Sequence, residues 1–484
     1  MTKPQTTGRA AVDSFYHLLD SDLAKMPCAG TACFVAGAKN IPQGRRLYCS
    51  GRCFEAPVRG TNSNRPHSRI ASREGIILGR IARGGTASLE AYESDNPSAL
   101  KQALALRPEQ LLDEIDTSGL RGRGGAAYPT GKKWKAVANA PTRDVKYIIA
   151  NADEGDPGAF VDRFIMELDP HALIEGMTIA ACAVGARQGR VYLRKEYPLS
   201  HASMQGAIDE ARRAGRLGQD ILGSGFAFDI QIFIGHGSYV CGEETALIHS
   251  LEGRRPEPSV RPPFPTVSGF QGRPTLVNNV ETLASVPWII RHGGAAYSAL
   301  GTGTSRGTKV LSLNSLFARP GLYEVEFGTP LRTIVEELGG GLRTGPLKGL
   351  IIGGPLAGII PPHLLDTPLG FDELRAIGAS VGHGGVIGFD HSTSIDSLIH
   401  HVVEFGASES CGKCTPCALG CPELARIFAQ QDSAQQTAAR DRETVHSLTT
   451  TLRNASLCGH GTGVGEFIAS ALKHYGKELE SCWR

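Results

Sequence analysis

No stretch of this sequence approaches the roughly 18 consecutive apolar residues of a membrane helix. The best run, residues 176–186, is bounded by Glu175 and Arg187. The opening MTKPQTTGRA holds no apolar signal core. Charge of one sign is also lacking: 50 Lys+Arg stand against 48 Asp+Glu, a net +2, which argues against a nucleic-acid binder. With 41% hydrophobic and 20% charged residues, wholesale disorder is excluded and a buried core is expected. These features read as a soluble, cytoplasmic chain with no membrane span and no nucleic-acid partner.

Glycine and cysteine are abundant. The 60 glycines show no G-X-Y period, so collagen is excluded; they cluster in loops, where backbone can approach a ligand closely. The 12 cysteines fall in two sets, Cys28 to Cys53 and Cys411 to Cys458, with Cys182, Cys241 and Cys482 outside them. In a cytoplasmic chain such sets point to metal rather than to disulfides.

At 484 residues the chain has room for about three domains. Residues 1–60 are short and Cys-rich, and residues 61–104 read as a linker, with helical spacing setting in from Pro97. Asn96 is the expected helix cap, and Pro108 is expected to split the helical stretch. From 105 to 304, apolar runs at 147–150, 191–193 and 230–234 alternate with helix-like stretches at 169–186 and 200–215, an α/β pattern. Residues 305–395 read as a small α+β domain around one helix, and 396–484 as a helical bundle.

Cys411, Cys414 and Cys417 form C-x2-C-x2-C, a spacing that can hold three irons of a 4Fe–4S cube. The fourth ligand is Cys458, in a Gly-rich loop, or Cys421, on a short tether. Zinc is the rival, although its sites favour paired C-x2-C. The set Cys28-x4-Cys33 and Cys49-x3-Cys53 suits a 2Fe–2S cluster, one pair per iron, with zinc again the rival. Cys182 reads as a core thiol and Cys482 as idle.

Gly122-Arg123-Gly124-Gly125 fits a dinucleotide fingerprint only nominally, because it follows a helix-like stretch and not a strand. Its glycines can still line a phosphate or flavin, with Arg121, Arg123, Lys132 and Lys133 supplying positive charge. Asn151, Asp153, Glu154 and Asp156 follow a strand, as a divalent-cation site, a polar cradle or a solvated turn. Tyr239, Gly242, Glu243 and Glu244 occupy a strand-to-helix turn, as a ligand site or as acids that merely favour a helix start. Phe264, in RPPFP, is a stacking face or a core ring; Asn278 and Asn279 are amide partners or helix caps.

The ordered motifs GRGGAAYPTGKKW, NADEGDPGAFVDR, GSYVCGEETALI, RPPFP, NNVETLA and SCGKCTPC with Cys458 resemble the NADH-binding flavoprotein subunit of respiratory complex I and its soluble relatives, over about residues 105–475. GGPLAG, PPHLLDTPL and VGHGGVIGFD look most like the diaphorase subunit of soluble NAD-dependent formate dehydrogenases, with hydrogenase diaphorases next. The N-terminal pieces CAGTACFVAGA and YCSGRCFEAP resemble a shortened thioredoxin-like 2Fe–2S subunit.

The resemblance implies an FMN-binding α/β domain, a ubiquitin-like β-grasp domain and a helical bundle carrying the 4Fe–4S cluster. FMN would be held by Gly122–Gly125, Lys133, Asn151, Asp153, Asn278 and Asn279. NAD would contact Glu154, Asp156, Tyr239, Glu243, Glu244 and Phe264. No side chain is expected to be essential as an acid or base, Glu154 and Glu244 orienting the nicotinamide. The implied partners are a formate dehydrogenase or hydrogenase catalytic subunit and, as a further candidate, a small 2Fe–2S subunit. Where the family usually has other residues, this chain has Tyr128, Ala136, Arg261 and Ala418.

Overall fold

The computed structural model describes residues 18, 22–38, 41, 46–61, 64–95, 97–141, 145–429, 442–480 and 483. Cys482 and Asn96 lie outside them. The described residues fall into two large sheets with flanking helices, a two-stranded ribbon of Gly301–Thr302 and Ser305–Arg306, a helical bundle and a small N-terminal module.

The alternating stretch folds as expected. Strands Tyr147–Ala152, Gln188–Arg194, Asp229–Gly235 and Thr275–Asn279 form one parallel sheet. Their order places Asp229–Gly235 at one edge, then Gln188–Arg194, Tyr147–Ala152 and Thr275–Asn279. Crossovers run through helices Pro170–Val184 and Pro198–Arg213, both opened by a proline whose missing N–H costs nothing at a first turn. Because the strands are parallel, their C-terminal ends emerge on one side, carrying Asp153–Pro157, His236–Glu243 and Asn279.

A second sheet has six strands, ordered Ser68–Ile70, Gly321–Glu326, Thr308–Leu313, Gly385–Asp390, Leu347–Ile352 and Ile359–Ile360. Thr308–Leu313 and Gly321–Glu326 form an antiparallel hairpin, and the last strand, Gly385–Asp390, lies parallel beside the first. This is β-grasp order. The helix expected here is short, Thr333–Leu338, and a second, Phe371–Ala376, accompanies it.

Residues 61–104 are not a linker. Ser68–Ile70 joins the second sheet as its edge strand, paired with Leu322–Glu324. Helices Leu78–Ile81, Leu89–Asp95 and Ala99–Ala105 follow. The local composition is polar, but buried Glu324 fixes the segment by accepting the N–H groups of Ile76, Ile77 and Leu78. Ser98 caps Ala99–Ala105 through Lys101 N–H, and Pro108 opens the next helix as expected.

Four helices, Ile395–Ser408, Thr415–Phe428, Arg442–Ala455 and Gly459–Leu479, build the bundle. The N-terminal module packs against its first helix: the Phe34 ring stacks on His401 at 4.3 Å, and Tyr48 Oη donates to Ser408 Oγ. The Arg163 guanidinium, from the first sheet's side, donates to Ser50 O and Thr61 O. No helix among the described residues is long and apolar enough to cross a membrane.

Candidate functional site

One wall of the site forms where the glycine loop meets the end of Thr275–Asn279. A Cβ at Gly124 would lie 2.9 Å from Asn279 Cβ, so glycine permits that approach. Gly125 has φ +126°, a conformation that disfavours any side chain. Gly124 and Gly125 present exposed backbone. Lys133 Nζ reaches Glu244 Oε2 at 2.6 Å and Val277 O at 2.8 Å. Asn278 Oδ1 accepts from Trp134 Nε1, and Asn279 Oδ1 caps the next helix through Thr282 N–H.

The opposite wall is acidic. Asn151 Nδ2 donates to Gly242 O, joining a strand end to the turn Tyr239–Gly242. Asp153 Oδ2 is buried without a hydrogen-bond partner among the described residues, and burial holds this carboxyl well above its usual range. Tyr239 Oη donates to Asp156 Oδ1 at 2.6 Å. Glu243 caps the helix Glu244–Leu251 through Thr245 and Ala246 N–H groups, and Arg261 bridges it to Glu244. Phe264 is 52% exposed, so it is a free face and not a core ring. Open glycine backbone, a lysine and an orphaned carboxylate oxygen on facing walls fit a flavin mononucleotide's phosphate and polyol.

Two expected residues sit differently. Arg123 turns its guanidinium inward, to Arg121 O, Tyr297 Oη and Arg306 O, over the Phe327 ring. Its backbone N–H is also taken, by Thr282 Oγ1. It props the loop from behind and offers no charge to a ligand. Glu154 is fully buried; its carboxylate accepts Asp162 N–H and Arg163 N–H, both at 3.0 Å, and Tyr197 Oη–H. Burial, then the Asp162 charge, push it up to about 7.

His383, in the loop that leads into Gly385–Asp390 of the β-grasp sheet, also reaches this site. Its Nε2 lies 2.8 Å from Asp162 Oδ2 and 3.4 Å from Glu154 Oε1. The histidine inside VGHGGVIGFD was the available signal.

The two cysteine sets each converge. Cys414 is the N-cap of Thr415–Phe428 and Cys458 of Gly459–Leu479. A Cβ at Gly461 would stand 3.1 Å from Cys417 Cβ, so the Cys458 turn lies against Cys417. Cys411 and Cys417 both oppose ionisation of Cys458, whose thiol burial pushes up to about 11. Cys421 is fully buried, its Sγ 3.9 Å from Cys417 Sγ. In the N-terminal set all four thiols are buried, and Cys49 and Cys53 stand 3.7 Å apart. Two thiolates on one tetrahedral ion, with metal–sulfur bonds of about 2.3 Å, lie about 3.8 Å apart. The N-terminal pair therefore fits two ligands of one metal ion. Cys182 is half-buried against the core.

Comparison with known proteins gives the family. Residues 115–288 match the Nuo51 FMN-binding domain, and residues 397–482 match the NADH-ubiquinone oxidoreductase-F iron–sulfur binding region. NADP-reducing hydrogenase subunit HndC of Solidesulfovibrio fructosivorans is 40% identical over 422 residues, 87% of this chain and 84% of that one. The second F-type subunit of NADH-quinone oxidoreductase in Rhizobium meliloti is 42% identical, over 81% of this chain and 93% of its own. The corresponding F-type subunit of Escherichia coli is 39% identical, over 81% and 89%. The crystal structure of an NAD+-reducing nickel–iron hydrogenase in its air-oxidised state superposes with a TM-score of 0.80 at 29% identity, over 99% of this chain and 88% of that one. The chain belongs to the NADH-quinone oxidoreductase F family, flavoprotein subunits that carry FMN and a 4Fe–4S cluster and exchange electrons with NAD(H).

Proposed function

We propose that this chain is the NAD(H)-reacting diaphorase of a soluble, cytoplasmic formate dehydrogenase complex. It exchanges a hydride between NAD and FMN, and its 4Fe–4S cluster, on Cys411, Cys414, Cys417 and Cys458, carries single electrons to or from the partner. The Cys28–Cys53 set holds a 2Fe–2S cluster in this reading. FMN supplies the conversion between a two-electron hydride and one-electron carriers.

The protein's own work is placement. The loop Gly122–Gly125, its backbone exposed at Gly124 and Gly125, binds the flavin from one side with Lys133, Asn278 and Asn279. Asn151 and Asp153 bind it from the other. Phe264 offers a stacking face to the nucleotide, and Tyr239, Asp156, Glu243 and Glu244 orient it. Glu154, closed to solvent, holds the start of the helix Val161–Leu168 by accepting Asp162 and Arg163 N–H, and shapes the pocket from beneath.

The observation that carries the formate reading is the stretch 353–390, with GGPLAG, PPHLLDTPL and VGHGGVIGFD. The second reading, a hydrogenase diaphorase, has the support of HndC and of the hydrogenase structure that spans nearly all of this chain. Purified under argon with its native partners, the complex is expected to reduce NAD+ when given formate. Reduction with hydrogen and not with formate would replace the first reading by the second. A flavin band that NADH fails to bleach would remove both.

A further inference from the structure

We propose that His383 is a positioning residue for the flavin: its imidazole ties the two walls of the cradle together from the neighbouring sheet. The inference rests on the flavin reading above.

The contacts converge on one imidazole. Nε2 pairs with Asp162 at 2.8 Å and stands 3.4 Å from Glu154; Nδ1 stands 3.8 Å from Asp156. Asp162 Oδ2 also accepts from Asn279 Nδ2 at 2.6 Å, and Asp162 Oδ1 accepts from Glu281 N–H. One wall of the cradle, at Asn279, and the other, at Glu154 and Asp156, are therefore tied to the same ring.

Charge makes the tie necessary. Three carboxylates from the Asp153–Asp162 segment meet in a closed space: Glu154 and Asp162 are fully buried, and His383 is 5% exposed. Among the described residues His383 is the basic side chain paired with each of them. Lys309, on the adjacent strand Thr308–Leu313, also faces the ring but is committed to buried Glu281. Arg194 gives its guanidinium to Glu154 O, Cys49 O and Glu196. A neutral His383 would leave fully buried Asp162 without its basic partner, which proteins avoid. Burial alone would lower the imidazole, but the Asp162 and Glu154 charges carry it up to about 9, so it is a cation at neutral pH. A fixed positive charge beside the cradle favours the more negative, reduced flavin.

The test uses the full chain with His383→Gln, which keeps a donor for Asp162 and removes the charge, and His383→Lys, which keeps a charge. The readouts are the FMN dissociation constant after flavin extraction and the flavin midpoint potential against pH. H383Q is expected to bind FMN at least tenfold more weakly and to show a lower potential. The inflection expected of wild type near pH 9 should be absent from it. H383K is expected to recover the potential toward wild type, which also answers a misfolded H383Q. Wild-type potential and pH curve in H383Q would overturn the inference while leaving the flavin reading intact. So would a stoichiometric divalent ion, lost from the purified protein on His383→Gln, because Glu154, Asp162 and His383 would then be its ligands. Wild-type protein that takes up no FMN would overturn both.

Discussion

Replacing Cys458 and Cys421 in turn separates the two candidates for the fourth corner of the 4Fe–4S cluster. A cube places each thiolate on a different iron, so ligands must stand farther apart than the about 3.8 Å of two thiolates on one ion. Cys421 fails that condition, with its sulfur 3.9 Å from Cys417. Moving it away means moving the middle of Thr415–Phe428, whose Leu424 and Phe428 are fully buried. Cys458 sits at a helix start, where the backbone favours its thiolate by about 0.3–1 kcal/mol. Cys421→Ala then removes one buried sulfur and costs about 1 kcal/mol of stability, scaled from a buried methylene and its cavity. It should leave the iron content and the reduced-cluster EPR signal unchanged. Cys458→Ala should lose at least one iron per chain and that signal. The assay is iron and sulfide analysis with EPR on full chain purified without oxygen. A Cys421→Ala protein that loses the signal while Cys458→Ala keeps it would refute the reasoning.

Three further outcomes are expected. Lys309→Met leaves fully buried Glu281 without its cation and should cost about 3–5 kcal/mol in urea unfolding; a loss under 1 kcal/mol would mean that the pair is dispensable. Burial raises the Glu324 carboxyl to about 7 from an ordinary 4.5. Its stabilising effect is therefore complete below about pH 4.5 and fades as pH rises through 7, by at most about 3 kcal/mol. Glu324→Gln should flatten that part of the stability curve, and an unchanged slope would contradict the assignment. Phe264→Ala, at a half-exposed ring, should move the melting temperature by no more than a degree or two while raising KM for NADH several-fold; an unchanged KM would deny the ring its stacking role.

Much of the site was legible because it lies in loops whose composition is chemical and not periodic. The glycines at 122–125, the acids after YIIA and the cysteine triplet could be read without knowing the fold. What stayed hidden was set by distant partners. Ser68–Ile70 is three residues long and shows no alternation; only its pairing with Leu322–Glu324 makes it a strand. Arg123 sits in a basic loop and reads as a ligand, until Tyr297 and Arg306 draw it inward. Thr275–Asn279 stands out in the sequence only for its two asparagines, yet it supplies the fourth strand of the parallel sheet. His383 is 221 residues from Asp162, and no local pattern records that they touch.

The docking of the N-terminal module onto the bundle sets a schedule for biosynthesis. Phe34 leaves the ribosome 367 residues before His401, the ring it stacks on (401 − 34). At roughly 5–20 residues per second, that separation is about 20–70 s. In the early part of that interval, before Arg194, Tyr197 and Ser315 are made, Cys49 and Cys53 lack neighbours that they have in the finished protein, and an oxidant can reach them. Metal delivered during synthesis would protect them. Metal delivered afterwards would have to enter a closed site, so the order of loading and folding decides how much active protein a cell obtains.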